Sequence, residues 1–563
     1  MQAQWPCQGA QGLGSGLRQP SRNARELNGQ RFNDPGPELL TRVLIDARSL
    51  DDNTRIDADL AIIGAGPAGI SLARRLASHR IDICLIESGG LSLDAETQAL
   101  YQGETPGIEY PISSTRLRYF GGTSGHWGGY CRPLDPIDFE QRDWIPLSGW
   151  PFGREALAPY WEAASMAVET APAQYENGDY WAQATGEPMV DWRAGRFMTR
   201  FFQFSPPTRF GERYRGELER SSNIRVLLHS NLTRIAALPS ARAIDYLQLQ
   251  TLSGRRHQVH AKRYVLAAGG IENARLLLLS NDVMPTGLGN QHDRVGRCFM
   301  EHPHLGGFAE IVIADLGRLP RIYREQVLVD GRRARVCYIP RGDFLRRERL
   351  LSASFTMSVI ETLGSESAAT TDSSAAGPRN MLAAARPFLT EATSAGIHRS
   401  TDLNVHRPPS NGLGVRMGIG CACEQAPNPD SRVTLSDETD ALGLRRPRLD
   451  WRLTEQDRHS LLANIHALGR ELGATGIGRM RPRLPDDGRW EPRVSGGSHH
   501  MGTTRMSDDP KRGVVDRHCR VHGIDNLYIA GSSLFPTSGS ANPTLNILAL
   551  AYRLADHLEQ QPA

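Results

Sequence analysis

The chain has 563 residues, 39% hydrophobic and 23% charged, with a formal net charge of +3. That length supports two or more domains with a sizeable core, and the near-neutral balance excludes the footprint of a nucleic-acid-binding protein. No run of about 18 apolar residues predicts a transmembrane helix, and the cysteines form no Cys-x-x-Cys pair of the kind a zinc ribbon, thioredoxin site or c-type haem needs.

Residues 1–55 are poor in large apolar side chains and read as a flexible N-terminal arm. The first 22 residues lack an apolar signal core and a twin-Arg motif. The expected compartment is therefore the cytoplasm, with periplasmic location by co-export alongside a partner left open. Asp59 to Ile63 predicts a buried strand. The loop Gly64-x-Gly66-x-x-Gly69 follows, then a helix with Ile70, Leu72, Ala73, Leu76 and Ala77 largely on one face, then a strand from Ile81 to Ile86 ending at Glu87.

A loop-rich region comes next, centred on Tyr119 to Gly129, where five glycines in eleven residues preclude a stable helix or central strand. Further strands are expected at 224–228 and 263–270, the latter running into a helix from Ile271. Between about 310 and 485 the pattern alternates, as in Arg335 to Ile339, and Asn428 to Leu435 reads as a turn followed by a strand, so antiparallel sheet is expected. Ser365 to Ala376 reads as a mobile surface loop, and Cys421-Ala422-Cys423 as small loop residues rather than a redox pair. A last buried strand lies at 526–531, and an apolar helix begins with Pro543 at its first position, with Asn542 or Ser540 as cap.

The first glycine loop lies between a strand and a helix, and Glu87 ends the next strand, 18 residues after Gly69. That context is the dinucleotide fingerprint: Gly64, Gly66 and Gly69 let backbone approach a pyrophosphate at a helix N-terminus. Glu87 can accept hydrogen bonds from ribose hydroxyls and would repel a 2′-phosphate, which counts against NADP. Near the C-terminus, His499 and His500 share the loop Ser495 to Thr503. Histidine is the natural proton acceptor at neutral pH. No third ligand for a metal is apparent beside the pair. Asn542 can orient a substrate hydroxyl without competing for its proton.

With these motifs in place, the chain resembles the glucose–methanol–choline (GMC) family of flavin oxidoreductases, in the branch of pyranose oxidase, fructose dehydrogenase and gluconate dehydrogenase. The resemblance spans about residues 57 to 560 and is most specific in Ser498-His499-His500-Met501-Gly502-Thr503, Gly513-Val514-Val515-Asp516 and Arg520 to Leu527. It implies an α/β fold: a Rossmann-like FAD-binding domain with an inserted α+β substrate domain built on an antiparallel sheet. The implied boundaries are an arm over 1–55, FAD-binding segments over 56–310 and 486–563, and the substrate domain over 311–485.

It further implies that His499, three positions before Gly502, is the base and Asn542 the second active-site residue. Besides the first loop, it assigns Gly122, Thr123, His126, Trp127, Gly531, Asn542, Pro543 and Thr544 to the cofactor. It makes His126 a candidate for a covalent link to FAD, present in some relatives and absent in others. It implies no metal. The implied reaction oxidises a CH–OH group of a sugar, glycoside or polyol to the ketone or lactone, with hydride passing to flavin N5. Oxygen, a quinone or an electron-transfer protein would serve as acceptor, and a homo-oligomer is left open. Two alternatives remain: a lyase of the same fold with non-redox FAD, or a catalytic subunit dependent on an electron-transfer partner.

Overall fold

The computed structural model describes residues 24–27, 30–33, 43–313, 315–362, 415–483 and 494–561. The stretch Ser365 to Ala376 lies outside the described residues, as does most of 1–42.

Two large sheets organise the chain. In the first, strands Leu44–Asp46, Ile224–Leu228, Ile83–Ile86, Thr54–Ile63 and Arg256–Leu266 lie side by side in that order, all parallel. Leu527–Ile529 pairs in parallel with the end of Arg256–Leu266. Ile244–Gln250 and Asn231–Ala237 extend the sheet with antiparallel pairing. Parallel strands are covered on both faces, which is why Leu60 to Ile63 and Ile83 to Ile86 are unbroken apolar runs, all buried. The stretch expected to be a loose arm joins this sheet through Asn33, which pairs with Thr54, and through Leu44–Asp46, where Ile45, Ala47 and Leu50 are buried.

The glycine loop turns from strand Thr54–Ile63 into helix Pro67–Arg75. Gly64 has φ +105°, and a Cβ there would meet the carbonyl oxygen of Ala267 at 2.6 Å. A Cβ on Gly69 would run into the Gly64 carbonyl oxygen, so the third glycine sets how closely the helix approaches the strand.

The second sheet is antiparallel throughout. Its order is Gly478–Pro482, Pro303–Ile313, Val415–Cys423, Ala353–Thr362, Arg332–Pro340, Phe197–Phe204 and Tyr130–Cys131, with Val494–Gly496 also on Pro303–Ile313. Helix Glu455–Thr475 covers one face through Leu461, Ile465, Leu468 and Leu472. Its start is fixed by a capping box between Thr454 and Asp457, a device worth about 1 kcal/mol. Strands from 130–204 and 494–496 enter this sheet, while Val433, Leu449 and Trp451 pack into the first core. The two units therefore interleave more than one insertion over 311–485 would require.

Two further details depart from expectation. Cys421 and Cys423 lie in a strand, not a loop. They share its buried side, as period-two residues must, and the Cys423 thiol donates to Cys421 Sγ at 3.5 Å, with no disulfide between them. The C-terminal helix is Thr544–Gln560; Pro543 is the residue before it, and no side chain caps it.

Candidate active site

The first glycine loop and the second meet. The N–H of Gly121 donates to the Ala65 carbonyl at 2.8 Å, and a Cβ on Gly122 would lie 3.0 Å from the Gly66 Cα. The segment Gly122–Gly125 is a single 3-10 turn leaning on the phosphate-loop backbone. Thr123 Oγ1 accepts the N–H of Leu117 at 3.3 Å, and Trp127 Nε1 donates to the Thr208 carbonyl at 3.0 Å, so both side chains anchor this loop. Glu87 is buried. Its Oε2 accepts the Ala65 N–H at 2.9 Å and its Oε1 the Gly89 N–H at 2.9 Å, tying the strand-end acid to the glycine loop.

These residues fit a dinucleotide. Gly66, Gly269 and Gly531 each have open space where a side chain would stand, at turns following three neighbouring parallel strands. Ligands bind beyond the carboxyl ends of such strands. Arg118 adds a buried guanidinium whose Nε has no hydrogen-bond partner and whose Nη1 lies 3.5 Å from Glu272 Oε1.

The histidine loop is built by an antiparallel encounter. Pro303, His304 and Leu305 pair with Gly496, Ser495 and Val494, and Met300 and Met501 exchange backbone hydrogen bonds at 2.9 Å each. Between these pairings residues 497–499 bulge, with Ser498 at φ +61°. The bulge leaves backbone N–H groups without ladder partners. Glu301, fully buried, supplies them. Its Oε2 accepts from Gly497 and His302 at 2.9 Å each, and its Oε1 accepts from His499 at 2.7 Å. The Tyr110 hydroxyl donates to Glu301 Oε1 and lies 2.8 Å from His500 Nε2.

The two histidines of the pair face different surroundings. His500 is 8% exposed, stacks on Phe299 and packs edge-on to Tyr110, and its carbonyl accepts the Ser532 hydroxyl at 2.7 Å. His499 Nε2 lies 3.1 Å from Asn542 Nδ2, and its Nδ1 lies 3.0 Å from His302 Nδ1. His304 stands edge-on to the same ring at 5.9 Å between centroids, its Nε2 buried without a hydrogen-bond partner.

Electrostatics follow from burial. Desolvation, then the neighbouring His302, His304 and His500, hold His499 well below the ordinary histidine range. His302 is pushed down to about 3 by burial and His304. His500 is also lowered to about 3 by burial, Arg116 and His126. All three imidazoles are neutral at pH 7. Burial raises Glu301 to about 7 against the hydrogen bonds it accepts. His126 has an exposed side chain, and desolvation and then Arg209 lower it from the ordinary histidine range.

The residues expected from sequence thus fall into two groups. Gly64, Gly66, Gly69, Glu87, Gly122, Thr123 and Trp127 lie around the two glycine loops. His499 and Asn542 meet side chain to side chain across 43 residues of sequence, on the loop that leads into Pro543 and Thr544. Asn542 does not cap the helix, so its amide is turned to His499 instead. Sequence reasoning missed Glu301, His302 and His304. Their signal was present in the run Glu301-His302-Pro303-His304, where an acid and two histidines stand at the start of a mostly apolar strand, Pro303–Ile313.

A family model described as GMC oxidoreductase matches residues 427–551, and one described as FAD dependent oxidoreductase matches 59–288. Fructose dehydrogenase large subunit of Gluconobacter japonicus is 24% identical, covering 90% of this chain and 98% of that protein. The 6'''-hydroxyparomomycin C oxidase of Streptomyces lividus is 25% identical, covering 89% and 92%. Among solved structures, pyridoxine 4-oxidase from Mesorbium loti superposes with a TM-score of 0.52 at 18% identity, covering 90% of this chain and all of that one. That likeness is one of fold.

Proposed function

We propose, for a chain that belongs to the GMC family of FAD-dependent oxidoreductases, that it oxidises a CH–OH group of a sugar, glycoside or polyol to the ketone or lactone. The observation that carries this reading is the approach of His499 Nε2 to Asn542 Nδ2 at 3.1 Å, a neutral base beside an orienting amide. Bound FAD supplies the hydride acceptor for the carbon being oxidised.

The chain's own residues do the rest. His499 takes the hydroxyl proton at Nε2, the ring being held neutral by burial at neutral pH. Asn542 donates from Nδ2 to the substrate oxygen and holds it near the base. Glu87 and the glycine loops hold the adenosine and pyrophosphate portions of the cofactor. His500 is not assigned this role: the Tyr110 hydroxyl 2.8 Å from its Nε2 supports a structural part for it. The names of the relatives, a fructose dehydrogenase subunit and an oxidase of 6'''-hydroxyparomomycin C, support a polyhydroxylated substrate.

Anaerobic titration of the yellow protein with a panel of sugars and polyols tests the reading: a substrate bleaches the flavin, and a lyase would turn it over with no bleaching. A second reading, a catalytic subunit that passes electrons to a partner, is favoured by the words "large subunit" in the name of the fructose dehydrogenase relative. Reoxidation by added quinone or dye and not by air supports it; rapid reoxidation in air supports an oxidase. Among the described residues no helix is long and apolar enough to cross a membrane.

A further inference from the structure

We propose that His302 is the positioning residue of His499, accepting the Nδ1–H of that ring and so fixing it with Nε2 bare toward Asn542. The inference rests on His499 being the base.

The direction of the hydrogen-bond chain follows from its far end. His302 Nε2 lies 3.4 Å from the Ser538 carbonyl oxygen, which can only accept. Neutral His302 carries one N–H, so that proton sits on Nε2 and its Nδ1 is an acceptor. The Nδ1 of His499 lies 3.0 Å away, and two ring nitrogens at that distance need one proton between them. That proton belongs to His499, whose other nitrogen, Nε2, is then the lone pair. The near end agrees: Asn542 Nδ2, a donor only, faces His499 Nε2 at 3.1 Å. An acceptor-only carbonyl at one end and a donor-only amide nitrogen at the other thus select one tautomer for both rings.

The pair is also held rigidly. Glu301 Oε2 accepts the His302 N–H, and Glu301 Oε1 accepts the His499 N–H, so one carboxylate fixes both backbones. The rings meet at 73°, with centroids 4.9 Å apart. A neutral histidine behind the base differs from a carboxylate there: it orients the ring without raising its basicity.

The test uses the FAD-loaded full chain with two substitutions of similar polarity. In His302→Asn the side-chain oxygen stands where Nδ1 stood and still accepts from His499. In His302→Gln the amide reaches the Nε2 position beside Ser538 and leaves the His499 Nδ1–H without an acceptor. FAD content, substrate affinity and the single-turnover rate of flavin reduction are measured for each. We expect FAD content and affinity to hold in both, with the rate within about fivefold for Asn and down about 10²-fold for Gln, as for a base in the wrong tautomer. Equal rates for Asn and Gln overturn the proposal, as does a slow Gln variant whose FAD content falls in proportion. His499→Ala is run alongside. If it also reduces flavin normally, the assignment of the base has failed; if it alone is slow, only the role of His302 has.

Discussion

The carboxylate of Glu301 accepts the backbone N–H of His499 at 2.7 Å, so a fully buried acid fixes where the loop carries that ring. The same carboxylate takes the N–H of Gly497 and of His302. An N–H left buried without an acceptor costs about 1–3 kcal/mol. The bulge at 497–499 is therefore possible because residue 301 is an acid facing it.

Glu301→Gln replaces one acceptor oxygen by an amide that opposes backbone donors. We expect slower flavin reduction and a lower Tm. The effect on stability depends on pH. Folding raises this acid from its ordinary value near 4.5 to about 7, so the folded state holds the proton more tightly. That stabilisation is present in full below about 4.5 and is lost as pH rises through about 7. The stability difference between wild type and variant should grow as pH falls across that window, measured by urea unfolding at several pH values. A difference that shrinks on acidification contradicts the account.

Much of this architecture was legible in the sequence because its signals are local. The Gly64 loop, Glu87 and the apolar parallel strands each declare themselves within a dozen residues, and the strand at 527–529 was readable for the same reason. The site was half legible. His499 and Asn542 stand in distinctive motifs, but Glu301 and His302 owe their roles to pairing of 300–305 with 494–501, a contact between segments almost 200 residues apart. Nothing in a sequence period reports such a contact. The early strand at Leu44–Asp46 was missed because three residues are too few for a pattern. The helices at 158–167, 178–185 and 210–219 lie between the glycine-rich loop at 119–129 and the strand at 224–228, where no element was expected.

Gly497 tests how tightly the ring is seated. A Cβ there would lie 2.6 Å from His499 Nδ1 and 2.8 Å from His304 Nε2. Gly497→Ala should therefore retain FAD while displacing the His499 ring and slowing flavin reduction about 10²-fold, since a misplacement near 1 Å can have that effect. A normal reduction rate in this variant would show that the ring has room to move.

The cofactor site predicts a yellow protein with the visible absorption of an oxidised flavin. Glu87→Ala removes the acceptor for the Ala65 and Gly89 N–H groups and the partner for ribose hydroxyls. It should lower FAD occupancy after purification, with recovery on adding FAD. A colourless, folded wild-type protein that cannot be reconstituted contradicts the assignment.

His126 stands at the end of the 3-10 turn that leans on the phosphate loop. If it carries a covalent bond to FAD, as we propose for testing, acid-precipitated protein stays yellow and His126→Ala releases free FAD. Complete release from the wild type excludes the link and leaves the fold and the base untouched.

His499, and not His500, is the proposed proton acceptor. A general base contributes about 10²–10⁴ in rate. Single-turnover flavin reduction at saturating substrate should fall by a factor in that range in His499→Ala, with FAD still bound. His500→Ala should cost less, through packing around Tyr110 and Phe299, and Asn542→Ala should fall between them. A normal rate in His499→Ala, whether or not His500→Ala abolishes reduction, would contradict the account.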